Sequence, residues 1–96
     1  MPARSAKPRT TARTPGETLG AARQALAAND IKAAAKHYGA LVRRRSMVED
    51  VIVDLKVAVQ RLPDTAELWQ ALGDAYMKAD MPAEAVEAYR HGLANL

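Results

Sequence analysis

Apolar residues recur at intervals of three and four through residues 15–96, and breaks of a few residues divide this pattern into five segments. Such spacing gathers the apolar side chains on one face of an α-helix. Helices are predicted over about 15–28, 31–45, 47–62, 65–79 and 82–94. Because connections this short force successive helices to lie antiparallel and adjacent, we expect an all-α fold of helical hairpins, either a closed bundle or an open solenoid.

Helix-start signals support these boundaries. Capping boxes, in which a Ser, Thr or Asp precedes a Glu by three residues, are predicted at Thr14–Glu17, Ser46–Glu49 and Asp64–Glu67. Asp30 is placed to cap the second helix with its carboxylate. Proline at the first position of a helix, or just after its end, marks the remaining boundaries.

The excess of positive charge belongs to the first residues of the chain. The chain has 14 Lys and Arg, 11 Asp and Glu and a net charge of +3, whereas residues 17–96 have ten and eleven. Residues 1–14 contain no acid and show no apolar periodicity, so a disordered basic tail is predicted there, followed by one helical domain over 15–96. The cations of this tail are Arg4, Lys7, Arg9 and Arg13.

The composition argues against a catalytic or metal site. The chain has no Cys, which excludes thiolate ligands, disulfides and a cysteine nucleophile, and fits a cytoplasmic location. Its two histidines, His37 and His91, have no carboxylates at ligand spacing, so no metal or cofactor is expected. Glu49, Asp50 and Asp54 cluster on the third helix without a substrate pocket, and no apolar run is long enough to span a membrane. We therefore expect a protein that is not an enzyme.

The end of the chain has a spaced pattern of aromatic, aliphatic and small residues. It consists of Trp69, Leu72, Gly73, Tyr76, Ala85 and Tyr89. This pattern resembles the tetratricopeptide repeat (TPR), a helix–turn–helix unit of 34 residues, strongly over 63–96 and weakly over 17–62. The resemblance implies an α-solenoid of stacked hairpins. Gly73 and Ala85 are small because the two helices of the hairpin are expected to cross closely there.

Upstream of this hairpin, two registers of the repeat remain open. A step of 34 residues back from Gly73 reaches Gly39, which would make the second and third helices one degenerate repeat. The segment Asn29–Tyr38 matches Asp80–Tyr89 equally well, which would make the second helix the latter half of a hairpin. The second helix satisfies both registers, so the sequence does not decide its partner.

The family resemblance also implies a function. Tetratricopeptide proteins bind segments of other proteins in a concave groove lined by the first helix of each hairpin, so an interaction module, as an adaptor or small scaffold, is expected. The residues placed in this groove are Glu67, Gln70, Asp74, Met77 and Lys78 on the fourth helix, joined by Lys36 and Arg43 if the second helix is also a groove helix. A solvated helix face is the alternative for these side chains. Some family members bind the terminal carboxylate of a peptide through a set of Lys, Asn and Arg side chains called a carboxylate clamp. Asp74 would repel such a carboxylate, so a clamp is not expected here.

Several apolar residues lie outside the stripes that the chain can bury. They are Val53, Val57, Val86 and Leu93. Because the third helix is apolar on more than one side, we expect it to be the central helix. The uncovered residues indicate self-association as a symmetric homodimer, with a helical partner protein or a loosely packed, exposed edge as the alternatives.

A second function class is left open by the tail. Its four cations can contact the phosphates of nucleic acid, which makes a nucleic-acid-associated protein the alternative to a protein-binding module. Four charges with no aromatic residue to stack on bases would give weak, salt-sensitive binding, so nucleic acid is the less favoured partner. The Ala-rich composition, with nine Arg and five Lys, is typical of a bacterial source with GC-rich DNA.

Overall fold

The computed structural model describes residues 13–96, and these residues form five α-helices and no strand. The helices are α1 (Pro15–Ala27), α2 (Ile31–Arg43), α3 (Val48–Arg61), α4 (Ala66–Lys78) and α5 (Pro82–Ala94). The predicted all-helical fold is confirmed, and each helix ends within two residues of its predicted bounds. Except for its last two residues, the predicted basic tail lies outside the described part of the chain.

Two of the helix starts are capped as expected. The Thr14 hydroxyl accepts the Glu17 N–H at 3.2 Å, and the Thr14 N–H donates to the Glu17 carboxylate at 3.0 Å. Asp30 accepts the N–H of Ala33 at 3.2 Å. Each of these bonds satisfies a backbone group that the helix itself leaves unpaired.

The other two predicted capping boxes are wrong, because each helix starts one residue later than the box requires. Met47 rather than Ser46 is the N-cap of α3, and it has a left-handed backbone with φ 53°. Thr65 rather than Asp64 is the N-cap of α4, and its side chain makes no capping hydrogen bond. A shift of one residue moves the Glu out of the third helical position, so it cannot reach back to the cap.

The helices pack around a central pair, α2 and α4. The helix α1 packs along α2, α5 packs along α4, and α2 and α4 also contact each other. The helix α3 packs on α4 and touches α2 at only a few positions. The expectation that α3 is central is therefore wrong, since its second apolar side faces away from the other helices. The largest fully buried side chains are Tyr38, Leu41, Val51, Leu55 and Leu68.

Three connections use the same turn. Asn29, Arg45 and Asp80 have left-handed backbones with φ of 62°, 55° and 62°. In each turn the following N–H donates to the carbonyl five residues earlier in the chain, over 2.8–2.9 Å. This hydrogen bond and the left-handed residue form a Schellman-type helix end, which reverses the chain sharply.

The hairpin α1–α2 is repeated in α4–α5 with a shift of 51 residues. Equivalent pairs are Asn29 and Asp80, Ala34 and Ala85, and Tyr38 and Tyr89. The two turns share four equivalent backbone hydrogen bonds, and both alanines are fully buried. Since α2 packs along α1 and barely touches α3, the structure places α2 as the second helix of the first hairpin.

Candidate functional site

The close helix crossing expected at Gly73 is present. A Cβ added to Gly73 would lie 2.5 Å and 2.6 Å from the Cε1 and Cδ1 atoms of Tyr89, so the absence of a side chain lets the Tyr89 ring lie against α4. The Tyr89 hydroxyl donates to Asp74 Oδ1 at 2.6 Å. Burial of the ring, followed by this hydrogen bond, raises the pKa of Tyr89 to about 12.

Trp69, the first residue of the repeat pattern, helps to hold the end of α5 in place. The indole N–H of Trp69 donates to the carbonyl of Pro63 at 2.7 Å, and the side-chain amide of Asn95 donates to the same carbonyl at 3.3 Å. The Trp69 ring also stacks on His91, with centroids 4.2 Å apart. These contacts give His91 and Trp69 a structural role, since they tie the last helix to the turn between α3 and α4.

A second polar cluster joins the first three helices. The Nε and Nη2 atoms of Arg23 donate to the two oxygens of Asp54 at 2.7 Å and 3.0 Å, and the Tyr38 hydroxyl donates to Asp54 at 2.9 Å. The hydrogen bond and the charge of Asp54 raise the pKa of Arg23. Burial, followed by the hydrogen bond to Asp54, raises the pKa of Tyr38. The Asp54 side chain is 13% exposed and that of Arg23 is 55% exposed, so the cluster runs from the buried Tyr38 ring to the protein surface.

This network was not predicted from the sequence. Asp54 was grouped there with two neighbouring acids on α3, whereas its carboxylate contacts Arg23 of α1 and Tyr38 of α2. Arg23 and Asp54 are 31 residues apart, and neither belongs to a motif. The one available signal was the position of Asp54 beside the apolar stripe of α3, which indicates a carboxylate close to a helix interface.

A groove of about 580 Å³ lies between α1 and α3, with Tyr38 and Asp54 at its floor. Two predicted self-association residues, Val53 and Val57, stand on its α3 wall with 61% and 54% of their surface exposed. Arg61 lies at its rim and forms no ion pair within residues 13–96. The groove is open because α3 packs mainly on α4 and is not packed along α1.

The predicted concave-groove residues are all exposed. Five of them, spaced at three, four, three and one residues, form a strip along α4: Glu67, Gln70, Asp74, Met77 and Lys78. Lys36 and Arg43 are exposed on α2 and form no ion pair with the α4 acids among the described residues. The structure thus groups the α4 members along one helix, and no ion pair among residues 13–96 links them to Lys36 or Arg43.

The α4–α5 hairpin exposes one face around the hydrogen bond between Tyr89 and Asp74. We call it the C-terminal face, and its residues are Gln70, Asp74, Met77, Val86, Tyr89 and Leu93. Spacings of three and four residues place each helix's members on one side. Met77, Val86 and Leu93 are 52%, 49% and 69% exposed. Two of the predicted self-association residues, Val86 and Leu93, therefore lie beside two of the predicted groove residues.

Within residues 13–96, no helix combines the length and the apolar composition needed to cross a membrane. In the same part of the chain, no three His, Asp or Glu side chains come together as metal ligands. A comparison of the chain with protein-family models, curated proteins and solved structures found no match.

Proposed function

We propose that the chain is a non-enzymatic protein–protein interaction module that acts as an adaptor or a small scaffold. The observation that supports this proposal best is the C-terminal face, on which Leu93 is 69% exposed and Val86 is 49% exposed. Single exposed apolar residues are common on protein surfaces, whereas a group of them on one face is typical of a site that another protein covers.

The polar clusters support binding rather than catalysis. Asp54 accepts three hydrogen bonds from Arg23 and Tyr38, and the carboxylate of Asp74 accepts one hydrogen bond from the Tyr89 hydroxyl. Both clusters connect helices, and in both the raised tyrosine pKa follows mainly from burial. Because both carboxylates make hydrogen bonds that connect helices, we assign them a structural role.

Two kinds of protein partner are compatible with this function, a second copy of the chain and a different protein. Sedimentation equilibrium at micromolar concentration separates them. A single species of 10.4 kDa rules out a second copy as the partner, whereas a species of twice that mass indicates self-association. If a dimer forms, Leu93→Glu or Val57→Glu is expected to dissociate it without loss of helix content.

A comparative pull-down from cells of the source organism tests the function itself. The baits are the full chain, its Val86→Glu/Leu93→Glu variant, and the control variant Gln24→Glu/Gln60→Glu, which adds the same charge at exposed positions of α1 and α3. We expect some proteins to be captured by the wild type and by the control variant, and not by the Val86→Glu/Leu93→Glu variant. Identical recovery with all three baits, together with a monomer in sedimentation, would contradict the proposal.

A further inference from the structure

The two equivalent hairpins differ in what covers the face around their shared tyrosine. On α1–α2 the residues equivalent to those of the C-terminal face, 51 residues earlier, are Leu19, Arg23, Leu26, Ala35, Tyr38 and Val42. Here α3 places Asp54 on Arg23 and Tyr38, and α4 packs against α2. Helices of the same chain therefore cover part of the first face, and Arg23, Leu26 and Tyr38 also line the open groove between α1 and α3.

The exposures differ most at two pairs of equivalent positions, whereas Arg23 and its equivalent Asp74 are both exposed. Val42 is 3% exposed, and its equivalent Leu93 is 69% exposed. Leu19 is 5% exposed, and its equivalent Gln70 is exposed. The second hairpin thus repeats the shape of the first and lacks, among the described residues, the helices that cover it.

The two faces also differ in charge. Arg23 on the first face pairs with a carboxylate of the covering helix. The equivalent position on the C-terminal face is Asp74, which accepts one hydrogen bond from Tyr89 and forms no ion pair within residues 13–96. A covering helix that matches this face needs a cation at the place where α3 has Asp54, since a second carboxylate there would repel Asp74.

We propose that the C-terminal face binds an amphipathic α-helix of another protein, and that a Lys or Arg of this helix pairs with Asp74. Apolar residues of the helix, spaced at three and four residues, cover Met77, Val86 and Leu93, as in helix-in-groove recognition. A second copy is the competing occupant, because its α3 exposes Val53 and Val57 beside Arg61, and the experiment below separates the two. The inference rests on the proposed interaction function and specifies its partner.

A suitable probe is a peptide with the sequence of α3 in which Arg replaces Asp54. Two peptides of residues 46–63 are compared, one with the wild-type sequence and one with Asp54→Arg, each cross-linked between positions 56 and 60 to keep it helical. Both cross-linked positions are exposed in the folded chain. Each peptide is titrated into the full, ¹⁵N-labelled protein, and binding is followed residue by residue through amide chemical shifts.

We expect the Asp54→Arg peptide to bind about tenfold more tightly than the wild-type peptide, with shifts concentrated around Asp74, Val86 and Leu93. The Asp74→Arg variant of the protein should instead bind the wild-type peptide more tightly. Its new arginine can pair with Asp54 of that peptide, as Arg23 pairs with Asp54 within the chain. The control variant Asp64→Arg makes the same charge change at an exposed turn residue and keeps the wild-type preference.

Three results would overturn the proposal. One is equal or absent binding of the two peptides up to millimolar concentration. Another is a set of shifts confined to α1–α3, which would mean that the peptide displaces α3 instead. The third is a dimer in sedimentation that Leu93→Glu dissociates, since a second copy would then occupy the face. If the peptides fail while the pull-down still loses proteins with Val86→Glu/Leu93→Glu, the interaction function stands and only the helix chemistry is wrong.

Discussion

Replacing Gly73 by Ala is expected to destabilise the protein, although Ala is the better helix former. The new Cβ would lie 2.5, 2.6 and 2.9 Å from three carbons of the Tyr89 ring, which is closer than non-bonded carbons approach. The ring cannot move away freely, because its hydroxyl is bonded to Asp74 at 2.6 Å. Overpacking of this kind costs about 1–3 kcal/mol, and the higher helix propensity of Ala returns up to about 1 kcal/mol. We expect a net loss of about 1–2 kcal/mol in the free energy of unfolding.

The measurement is urea denaturation followed by circular dichroism at 222 nm, with Gly20→Ala as the matched control. Gly20 lies inside α1, and a Cβ added there would have no heavy atom within 4 Å. The same chemical change should therefore stabilise by about 0.5–1 kcal/mol at this site. The difference between the two variants isolates the steric cost at the crossing from the change in helix propensity.

A double-mutant cycle identifies the residue responsible. In a Tyr89→Ala background the ring is absent, so Gly73→Ala should lose its penalty and behave like Gly20→Ala. The reasoning would be refuted if Gly73→Ala stabilised the wild-type protein as much as Gly20→Ala does. The Tyr89 ring would then not lie over Gly73, and the close crossing of α4 and α5 would be wrong.

Three further changes test other contacts. Gly92→Ala should stabilise by about 0.5–1 kcal/mol in the same assay, because the added Cβ would meet Trp69 Cβ at an ordinary 3.5 Å. Asp54→Asn should lower the free energy of unfolding by about 1–3 kcal/mol, since it removes the charge that holds three helices together and weakens the bond from Tyr38. Tyr89→Phe should reduce the loss of stability between pH 10 and 12, measured as the change in denaturation midpoint with pH.

The sign of the pH effect follows from proton binding. The folded pKa of Tyr89 is raised to about 12, and an unfolded tyrosine has a pKa near 10. The stabilisation is complete below about pH 10 and is lost as pH rises towards the folded pKa, at up to about 1.4 kcal/mol per pH unit. Tyr89→Phe has no such proton, so parallel pH profiles of the two proteins would contradict this account.

For Asp54→Asn the control is Glu87→Gln, which removes an exposed pair and should cost less than about 0.5 kcal/mol.

The sequence determined where the helices lie, because those signals act over a few residues. The bonds of Thr14 with Glu17 and of Asp30 with Ala33 form within one helical turn, and no distant group is needed for them. The same locality explains the two wrong capping boxes. A left-handed Met47 set by the turn, or a helix starting at Thr65, moves a cap by one residue, and one residue is enough to break the box.

Part of the candidate site was also readable from the sequence. Val53, Val57, Val86 and Leu93 stand outside the buried stripes of their helices, and all four are half-exposed or more in the structure. The strip on α4 followed from the repeat pattern. What covers these residues is a separate property, and periodicity along one helix contains no information about it.

Only the tertiary structure decided which helices pair and which face is left uncovered. The second helix satisfied two registers of the repeat, and its packing along α1 rather than α3 chose between them. Arg23 meets Asp54 across 31 residues because α1 packs along α2 and α3 touches α2 at a few positions, an arrangement that no short spacing encodes. Val42 and Leu93 hold equivalent positions at 3% and 69% exposure. Helical spacing could place both residues on one side of a hairpin. Which of the two is buried depends on whether other helices pack on that side, and that packing results from many contacts between residues far apart in the sequence.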